Sequence, residues 1–385
     1  MNKLHVKQLG QVKDATVGFG DLTVLVGPQA TGKSIFLQLL KLLVDTGPVL
    51  GEFRRFNIDW GGDVAGFLEL YFGEGMAAIR TPQTEITADD DSVDLDTVLR
   101  GKKTKAERFF YIPAQRVLSL REGLTRPFTD YRAGDPFVVR EFSEKLHRLV
   151  QSEFGKAQSL FPKSNRLKKD YRDLIAEAIF GGFGLKTSAD RFQKRMVLSS
   201  PDGKSGLPYL VWSAGQREFV PLLLGLYWLI PAAKVSRRGN LEWVAIEELE
   251  MGLHPNAISV TLLLVMELLS RGYRVCLSTH SPHVLDVVWA LRMIREHGGT
   301  LRDVLELFHL PSNPGTKMLA ERVLKKTAVV YYFQRNGFVQ DISRLDPDSA
   351  SDREAGWGGL SEFSARVNDI VARVVNRQSS PGLQQ

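Results

Sequence analysis

The segment from Gly27 to Ser34 has the residue types and the spacing that bind the phosphates of a nucleotide. It reads Gly27, Pro28, Gln29, Ala30, Thr31, Gly32, Lys33 and Ser34. This order fits the pattern of a glycine, any four residues, a second glycine, a lysine and a serine or threonine. In such a loop backbone N–H groups curl around the phosphates, the lysine reaches the β- and γ-phosphates, and the hydroxyl ligates Mg²⁺. The sequence therefore predicts ATP and Mg²⁺ as cofactors.

Two adjacent carboxylates, Glu247 and Glu248, follow the apolar run Trp243–Ile246. A nucleoside triphosphatase needs one carboxylate on the metal side and another that orients water. Because side chains alternate along a strand, these two point in different directions. We expect Glu247 to act on Mg²⁺, directly or through water, and Glu248 to polarise the attacking water. Adjacent acidic residues are also common on surfaces, so this interpretation depends on the other motifs.

Two further segments place polar groups where a phosphate can be bound. Ser213, Gly215 and Gln216 lie just before a long apolar stretch, and the N-terminus of a helix there would attract an anion. In isolation Ser213 is better explained as a simple helix N-cap. His280 follows the strand-like run Val275–Ser278, at the end of a strand where α/β sheets bind ligands. A single histidine at such a position is more often structural.

These motifs need strands and helices that bring them together. Leu4–Leu9 and Leu22–Val26 are predicted strands, and the second leads through the glycine-rich loop into a predicted helix at Ser34–Leu43. Trp243–Ile246 and Val275–Leu277 have the composition of short, buried parallel strands. The alternation of strands and helices predicts an α/β fold.

The pattern changes twice between the motifs. Short β-like runs at Gly66–Phe72 and Met76–Ile79 predict an antiparallel β subdomain. Between Asp135 and Phe180 apolar residues recur at helical spacing, which predicts a helical insertion. The insertion is too short, and its heptads too irregular, for a long coiled-coil arm.

The chain is thus predicted to have four parts. Residues 1–125 form an N-terminal lobe with the phosphate loop and the antiparallel subdomain, and residues 126–190 form the helical insertion. Residues 191–310 form a C-terminal lobe, and residues 311–385 form an extension that completes the domain. The tail Gln378–Gln385 is expected to be disordered.

Composition excludes several classes of protein. The 385 residues are 43% apolar and 24% charged, as in an ordinary globular protein. The apolar run Phe219–Ile230 is shorter than the roughly 20 residues of a membrane span, and the N-terminus does not resemble a signal peptide. We therefore expect a cytoplasmic protein without a membrane segment. The single cysteine, Cys276, cannot form an internal disulfide and is expected to be buried.

The net charge of +6 permits contact with nucleic acid, but it is below that of a dedicated DNA-binding arm. The positive residues form two clusters, namely Lys102, Lys103, Lys105 and Arg108, and Lys163, Arg166, Lys168, Lys169 and Arg172. A solvated helix face is the simpler interpretation of each cluster.

The order of these motifs resembles that of ABC-type ATPases of the SMC, RecF and OLD group. The string Glu247–Pro255 is similar to the Glu-Glu-Pro-Glu-x-x-Leu-His-Pro string of OLD-like and abortive-infection ATPases, with Leu249 in place of the usual proline. Glu247 stands where many ABC proteins have aspartate. The resemblance covers about residues 1–125 and 190–290, and it implies an ABC-type P-loop ATPase head.

Within this resemblance each motif has an implied role. Ser213 belongs to the signature loop, Glu247 and Glu248 to the Walker B strand, and His280 is the switch residue that contacts the γ-phosphate. The run Phe109–Arg116 resembles a Tyr-Ile-Pro-Ala-x-Arg strand end. Either of its last two residues, Gln115 or Arg116, is the candidate nucleotide-sensing residue.

The resemblance also implies partners. The signature loop of this family completes the ATP site of the opposite subunit, which implies a homodimer or a higher homo-oligomer with head-to-tail ATP sites. Such ATPases recur in anti-phage systems, so the first hypothesis is a sensor or scaffold subunit that controls a separate effector, such as a nuclease or a toxin. A DNA repair ATPase that clamps duplex DNA is the alternative. A third hypothesis makes ATP a structural ligand with negligible turnover.

Full-length OLD proteins carry an additional metal-dependent nuclease domain. The carboxylates after His280 do not have the pattern of a two-metal site. Asp341, Asp346 and Asp348 lie near turn signals and are expected to face solvent. We therefore predict that any nuclease is encoded separately.

Overall fold

The computed structural model describes residues 1–101, 106–154, 159–163, 165–190, 193–231 and 236–378. Its centre is a six-stranded sheet. In spatial order the strands are Val339–Asp341, Ala328–Phe333, Leu22–Val26, Arg274–Thr279, Trp243–Glu247 and Phe109–Ile112. All neighbouring pairs are parallel except the first. The carboxyl ends of five strands therefore lie at one edge, where α/β sheets bind ligands.

Helices cover both faces of this sheet. Every residue of Leu22–Val26 and of Trp243–Glu247 is buried, as expected for parallel strands between two layers of helices. The helix Lys33–Arg55 contributes to the core on one face, and the helices Ala214–Leu229 and Pro255–Ser270 contribute to the core on the other. The predicted α/β architecture and its central strands are confirmed.

A second, antiparallel sheet lies beside the first. Its strands, in spatial order, are Val12–Gly18, Lys3–Leu9, Arg80–Ala88 and Asp91–Ser92. The sheet was expected, but two of its predicted strands are wrong. Gly66–Phe72 lies in the helix Val64–Phe72, and Met76–Ile79 is a single 3-10 turn.

The helix at Val64–Phe72 has a clear physical origin. The Asp63 side chain accepts a hydrogen bond from the backbone N–H of Gly66 at 2.8 Å and caps the helix. Val64, Phe67 and Tyr71 then bury one face at helical spacing. A short apolar run fits a buried helix as well as a strand, and the cap decides between them.

The segment predicted as a helical insertion contains the helices Phe137–Arg148 and Lys169–Ile175, each extended by wider turns. It also contains a short strand, Ser159–Phe161, which was not predicted. That strand pairs with Gly184–Asp190, which forms an antiparallel hairpin with Gln193–Ser199.

The remaining elements connect these layers. The other helices are Leu95–Arg100, Pro282–Glu296, Leu301–Leu307, Pro314–Leu324, Asp352–Ala355 and Glu362–Gln378, and the other strands are Leu120–Arg121, Leu124–Thr125 and Gly206–Leu207. The strand Ala328–Phe333 pairs with Leu22–Val26, so the C-terminal part of the chain belongs to the central sheet. Residues 379–385 of the predicted disordered tail lie outside the described residues.

The helix Lys33–Arg55 is longer than the predicted Ser34–Leu43, because it continues through a kink at Asp45 and through Pro48. By length and hydropathy alone it could cross a membrane, with a mean hydropathy of 1.3, but 67% of its apolar window is buried in the protein. Core helices of soluble proteins have these same properties. Cys276 is buried as expected, and burial raises the pKa of its thiol to about 12, which keeps it protonated.

Candidate nucleotide-binding site

The phosphate loop requires both of its glycines. Gly27 has a φ of 141°, and a Cβ atom there would lie 2.2 Å from the carbonyl oxygen of Phe333. Gly32 has a φ of 92°, and a Cβ atom there would lie 2.6 Å from the side chain of Val12. Any side chain would therefore displace the loop from the end of its strand.

The Lys33 ammonium group lies inside this loop. It donates hydrogen bonds of 2.7 Å to the carbonyl oxygens of both Gly27 and Pro28, and the residue is 6% exposed. Burial lowers the pKa of Lys33 to about 8, against the opposing effect of Glu248, Glu247 and Glu250. The loop thus holds a desolvated cation that no carboxylate of the described residues contacts directly.

The other residues of the loop differ in exposure. Thr31 is buried and donates to the carbonyl oxygen of Pro28 at 2.9 Å. Gln29, Ala30 and Ser34 are exposed. The Ser34 hydroxyl is therefore accessible at the first turn of the helix that follows the loop.

Glu247 is buried at the end of its strand, and the residue is 2% exposed. Its Oε2 accepts a hydrogen bond from the backbone N–H of Ala114 at 3.2 Å, whereas Oε1 is buried and has no hydrogen-bond partner in the described parts of the chain. Burial raises the pKa of Glu247, and the neighbouring Ser34 hydroxyl opposes this shift. A buried acceptor without a partner is costly, and a hard divalent cation would satisfy it.

Glu248 occupies the next position in an unusual backbone conformation. Its φ is 44°, and its backbone N–H donates to the carbonyl oxygen of Ser278 at 2.8 Å. Its side chain is 32% exposed, and Oε1 lies 3.7 Å from Nε2 of His280. Burial lowers the pKa of His280, as does Lys33, while Glu248 opposes the shift. His280 is therefore mainly neutral near pH 7.

Sequence reasoning assigned no role to a third carboxylate, Glu250. Its Oε1 accepts a hydrogen bond from the backbone N–H of His280 at 2.6 Å, and burial raises its pKa. Glu250 thereby fixes the turn that carries His280. In the sequence, the only sign of a role for Glu250 is its place in the acidic string that follows Trp243–Ile246.

Within its own chain Ser213 caps the helix that it begins. Its Oγ accepts a hydrogen bond from the backbone N–H of Gln216 at 3.2 Å, and the Gln216 side chain accepts one from the backbone N–H of Ser213 at 3.0 Å. This capping box confirms the simpler interpretation within one chain. Ser213 is nevertheless exposed, and Leu210 and Val211 just before it are 71% and 61% exposed.

Gly215 lies against the turn that follows Glu248. A Cβ atom at Gly215 would lie 2.8 Å from the carbonyl oxygen of Gly252, so the two backbones are in direct contact. The helix that begins at Ser213 is thus packed onto the segment that carries the catalytic candidate.

The two candidates for nucleotide sensing differ in burial. Gln115 is exposed, whereas the Arg116 side chain is fully buried. Arg116 donates hydrogen bonds to the carbonyl oxygens of Glu247, at 2.9 Å, and of Glu248, at 3.0 Å. Its guanidinium group is therefore committed to main-chain atoms of its own chain.

The segment of the chain that carries several of these residues is similar to a known protein family. Residues 139–286 match the family described as "AAA domain, putative AbiEii toxin, Type IV TA system". The matched segment contains Ser213, both adjacent glutamates and His280. The matched range covers less than half of the chain and does not include Gly27–Ser34.

Several solved structures are similar to this chain at low sequence identity. An SMC head bound to the C-winged helix domain of ScpA is 10% identical, with 88% of this chain and 96% of that chain covered and a TM-score of 0.42. A dimeric bacterial ABC transporter cassette is 11% identical, with 88% and 96% covered and a TM-score of 0.34. The SMC head domain from Thermotoga maritima is 13% identical, with 74% and 90% covered and a TM-score of 0.31. A comparison with curated protein sequences finds no match.

Two residues of the second basic cluster, Arg166 and Lys168, are engaged in internal contacts. Arg166 is buried and donates to the carbonyl oxygens of Tyr227 and Ile230, both at 2.9 Å. Lys168 forms an ion pair of 2.9 Å with Glu267. Predicting a solvated face was therefore wrong for Arg166, because its buried charge stabilises helix packing, whereas the Lys168 side chain is still 33% exposed.

Of the first basic cluster, only Arg108 lies within the described residues. Arg108 forms an ion pair with Glu242, and Lys102, Lys103 and Lys105 lie outside the described residues. Asp341, Asp346 and Asp348 are exposed as expected. Within the ranges that the structure describes, no group of three or more histidine, cysteine or acidic side chains is arranged to hold a metal ion.

Proposed function

We propose that this protein hydrolyses ATP at two composite sites between two copies of the chain. We further propose that it is the sensor or scaffold subunit of a prokaryotic anti-phage system that controls a separate effector. One observation carries the enzymatic part of this proposal. Lys33, Glu247, Glu248 and His280 meet at one edge of the sheet, where the cation of Lys33 is desolvated and Oε1 of Glu247 has no hydrogen-bond partner among the described residues.

Each of these side chains has a proposed role. Lys33 exchanges its bonds to the loop carbonyls for charge-assisted bonds to the β- and γ-phosphates. Glu248, which is accessible to solvent, orients and polarises the attacking water. His280 in its neutral form donates a hydrogen bond to the γ-phosphate, and Glu250 holds its backbone in place.

The residues also fit a magnesium ion. Glu247 offers an unpartnered buried oxygen, and the exposed Ser34 hydroxyl lies beside it. Both are hard oxygen ligands, which Mg²⁺ prefers. Bound there, the ion would neutralise charge on the phosphate oxygens.

The position of Ser213 supports a site shared between subunits. In one chain the helix N-terminus at Ser213 faces solvent beside two exposed apolar side chains, Leu210 and Val211. Exposed apolar residues next to an anion-binding helix end are typical of a surface that a second protein covers. A head-to-tail copy of the same chain would complete the site with its own Ser213.

Mixing two inactive variants tests this arrangement. Lys33→Met disables the phosphate loop, and Ser213→Arg blocks the surface that faces the partner. In a mixed dimer one site combines an intact Lys33 with an intact Ser213. Half of randomly mixed dimers are heterodimers with one of two sites intact, so phosphate release should recover to at most about a quarter of the wild-type rate. Proven heterodimers without any recovery would contradict the shared site.

The defence assignment rests on the family description and on the distribution of polar groups. That description refers to a putative abortive-infection toxin of a toxin–antitoxin system. The catalytic candidates of this chain all converge on the nucleotide site, so an effector encoded separately is the natural complement. Purified alone with ATP and Mg²⁺ or Mn²⁺, the protein should leave DNA, RNA and transfer RNA intact.

Co-expression with the products of neighbouring genes should yield an ATP-dependent complex. Cleavage of nucleic acid by the purified chain alone, lost in a carboxylate variant but retained in Glu248→Gln, would contradict the separate effector. Tight DNA binding that weakens steeply with salt would favour the DNA clamp instead.

A further inference from the structure

Arg116 joins two parts of the molecule that belong to different nucleotide sites. Its side chain is fully buried and makes three hydrogen bonds to main-chain oxygens. Two go to Glu247 and Glu248, which belong to the phosphate-loop site of the same chain. The third goes to Glu218, at 3.2 Å, in the helix that begins at Ser213.

The side chain of Glu218 strengthens this link. Its Oε2 lies 3.6 Å from Nε of Arg116 and has no hydrogen-bond partner among the described residues. Glu218 follows Ser213 by little more than one helical turn. Arg116 therefore contacts both the backbone and the side chain of Glu218, near the start of the Ser213 helix.

The backbone conformation of Glu248 requires neighbouring groups that hold it in place. At a φ of 44° this residue is in the left-handed region, which a non-glycine residue keeps only when its surroundings hold it there. Arg116 binds its carbonyl group from one side, and Ser278 accepts a hydrogen bond from its N–H group on the other. The contact of Gly215 with Gly252 adds a second junction between the same turn and the same helix.

We propose that Arg116 is a positioning residue that couples the two ATP sites of the dimer. This inference rests on the proposed function, in which Glu248 acts in one site and Ser213 of the same chain completes the other. When Ser213 binds the nucleotide in the partner's phosphate loop, this contact fixes the position of the helix that begins at Ser213. Arg116 transmits that position to the carbonyl group of Glu248, so the water-orienting carboxylate is aligned best, and turnover per site is fastest, when both sites are filled.

The planar guanidinium group suits this role because its fixed fork of donors can hold three acceptors at once. A lysine keeps the charge but has a single nitrogen, so it cannot bridge the Glu247–Glu248 turn and the Ser213 helix with the same geometry. Arg116→Lys is therefore the informative substitution.

Arg166 offers a matched control at the other end of the same helix. It is also a buried arginine, and it donates to two main-chain oxygens, those of Tyr227 and Ile230. None of its hydrogen bonds reaches the turn that carries Glu248. Arg166→Lys should therefore weaken the fold without affecting communication between the sites.

The test measures ATP binding and steady-state phosphate release by the full-length wild type, Arg116→Lys and Arg166→Lys with ATP and Mg²⁺. We expect the wild type to hydrolyse ATP with a Hill coefficient above 1. Arg116→Lys should lose at least about tenfold in kcat, because small displacements of a catalytic group have effects of this size or larger. Its Kd for ATP should stay within about threefold of wild type, and its Hill coefficient should fall to 1. Arg166→Lys should keep the wild-type kcat and Hill coefficient.

A folded Arg116→Lys protein with the kcat and Hill coefficient of the wild type would overturn the coupling. Equal losses in Arg166→Lys would do the same, because they would show a general effect of helix stability. If Arg116→Lys fails to fold, Arg116→Met replaces it, because it removes all three hydrogen bonds together with the buried charge, and an unchanged Hill coefficient in that variant contradicts the proposal. A wild-type protein that binds ATP without hydrolysing it would overturn the proposed function too, so the two failures are distinguishable.

Discussion

Two buried lysines on the same helix, Lys33 and Lys41, have opposite surroundings. Lys33 contacts only neutral oxygens of the phosphate loop, and its pKa is lowered to about 8. Lys41 is completely buried, with its Nζ 3.0 Å from Asp45 and 3.1 Å from Glu141. Burial alone would lower the pKa of Lys41, but Glu141, Asp45 and Glu107 outweigh it and raise the pKa.

The difference separates a ligand site from a structural site. The ion cluster around Lys41 joins its helix to the strand at Phe109, whose carbonyl oxygen it binds at 2.7 Å, and to the helix that carries Glu141. Its charges are paired within the chain, although Oε2 of Glu141 has no hydrogen-bond partner among the described residues. Lys33 is desolvated without a contacting anion, an arrangement that binding of phosphates would correct.

Removing Lys41 should have the largest effect on stability. Lys41→Met leaves the carboxylate of Asp45 buried without its cation and leaves Glu141 with Lys145 only, a change that costs about 3–5 kcal/mol in unfolding free energy. Chemical denaturation of the variant and the wild type measures this loss. A Lys41→Met protein as stable as the wild type would show that the cluster is not the structural element described here.

The matched substitution, Lys33→Met, should leave stability nearly unchanged and should weaken ATP binding. Lys33→Met removes a desolvated charge that has no ion-pair partner in contact, so the unfolding free energy should stay within about 1 kcal/mol of wild type. ATP affinity should fall by about 10²-fold or more, since each hydrogen bond to a charged group contributes about 1.5–3 kcal/mol. A nucleotide titration measures the affinity, and wild-type binding by this variant would remove Lys33 from the site.

A smaller effect should appear in the pH dependence of ATP binding. The ammonium form of Lys33 binds phosphates, and in the free protein it loses its proton as the pH rises through about 8. ATP affinity should therefore be constant below this pH and should fall by up to about tenfold per pH unit above it. Calorimetry in buffers of different ionisation enthalpy should detect proton uptake on binding near pH 8.5. Lys33→Met serves as the control, and an equal pH dependence in that variant would assign the effect to another group.

The sequence alone predicts the central strands whose carboxyl ends carry the candidate site. The phosphate loop and the strands at Leu22–Val26, Trp243–Glu247 and Arg274–Thr279 are recognisable because local patterns specify them. The predicted strands at Gly66–Phe72 and Met76–Ile79 were wrong, because short apolar runs do not distinguish helix from strand without the Asp63 cap.

Contacts between distant segments were not predictable in this way. The ion cluster joins Lys41 to Glu141, and the buried guanidinium group of Arg116 binds Glu218 and Glu248. These partners are about one hundred or more positions apart in the chain, so no local periodicity or spacing indicates them. The wrong interpretation of Arg166 as a solvated charge has the same origin.

Steady-state phosphate release by wild type and Glu248→Gln, at matched ATP occupancy, tests the central claim most directly. The substituted amide keeps the size of the side chain but cannot act as a base, so turnover should fall by about 10²-fold or more. The Kd for ATP should remain within a few-fold of wild type, because Lys33 and the loop are intact. Wild-type phosphate release by Glu248→Gln would contradict the assignment of this edge of the sheet as an ATP-hydrolysing site.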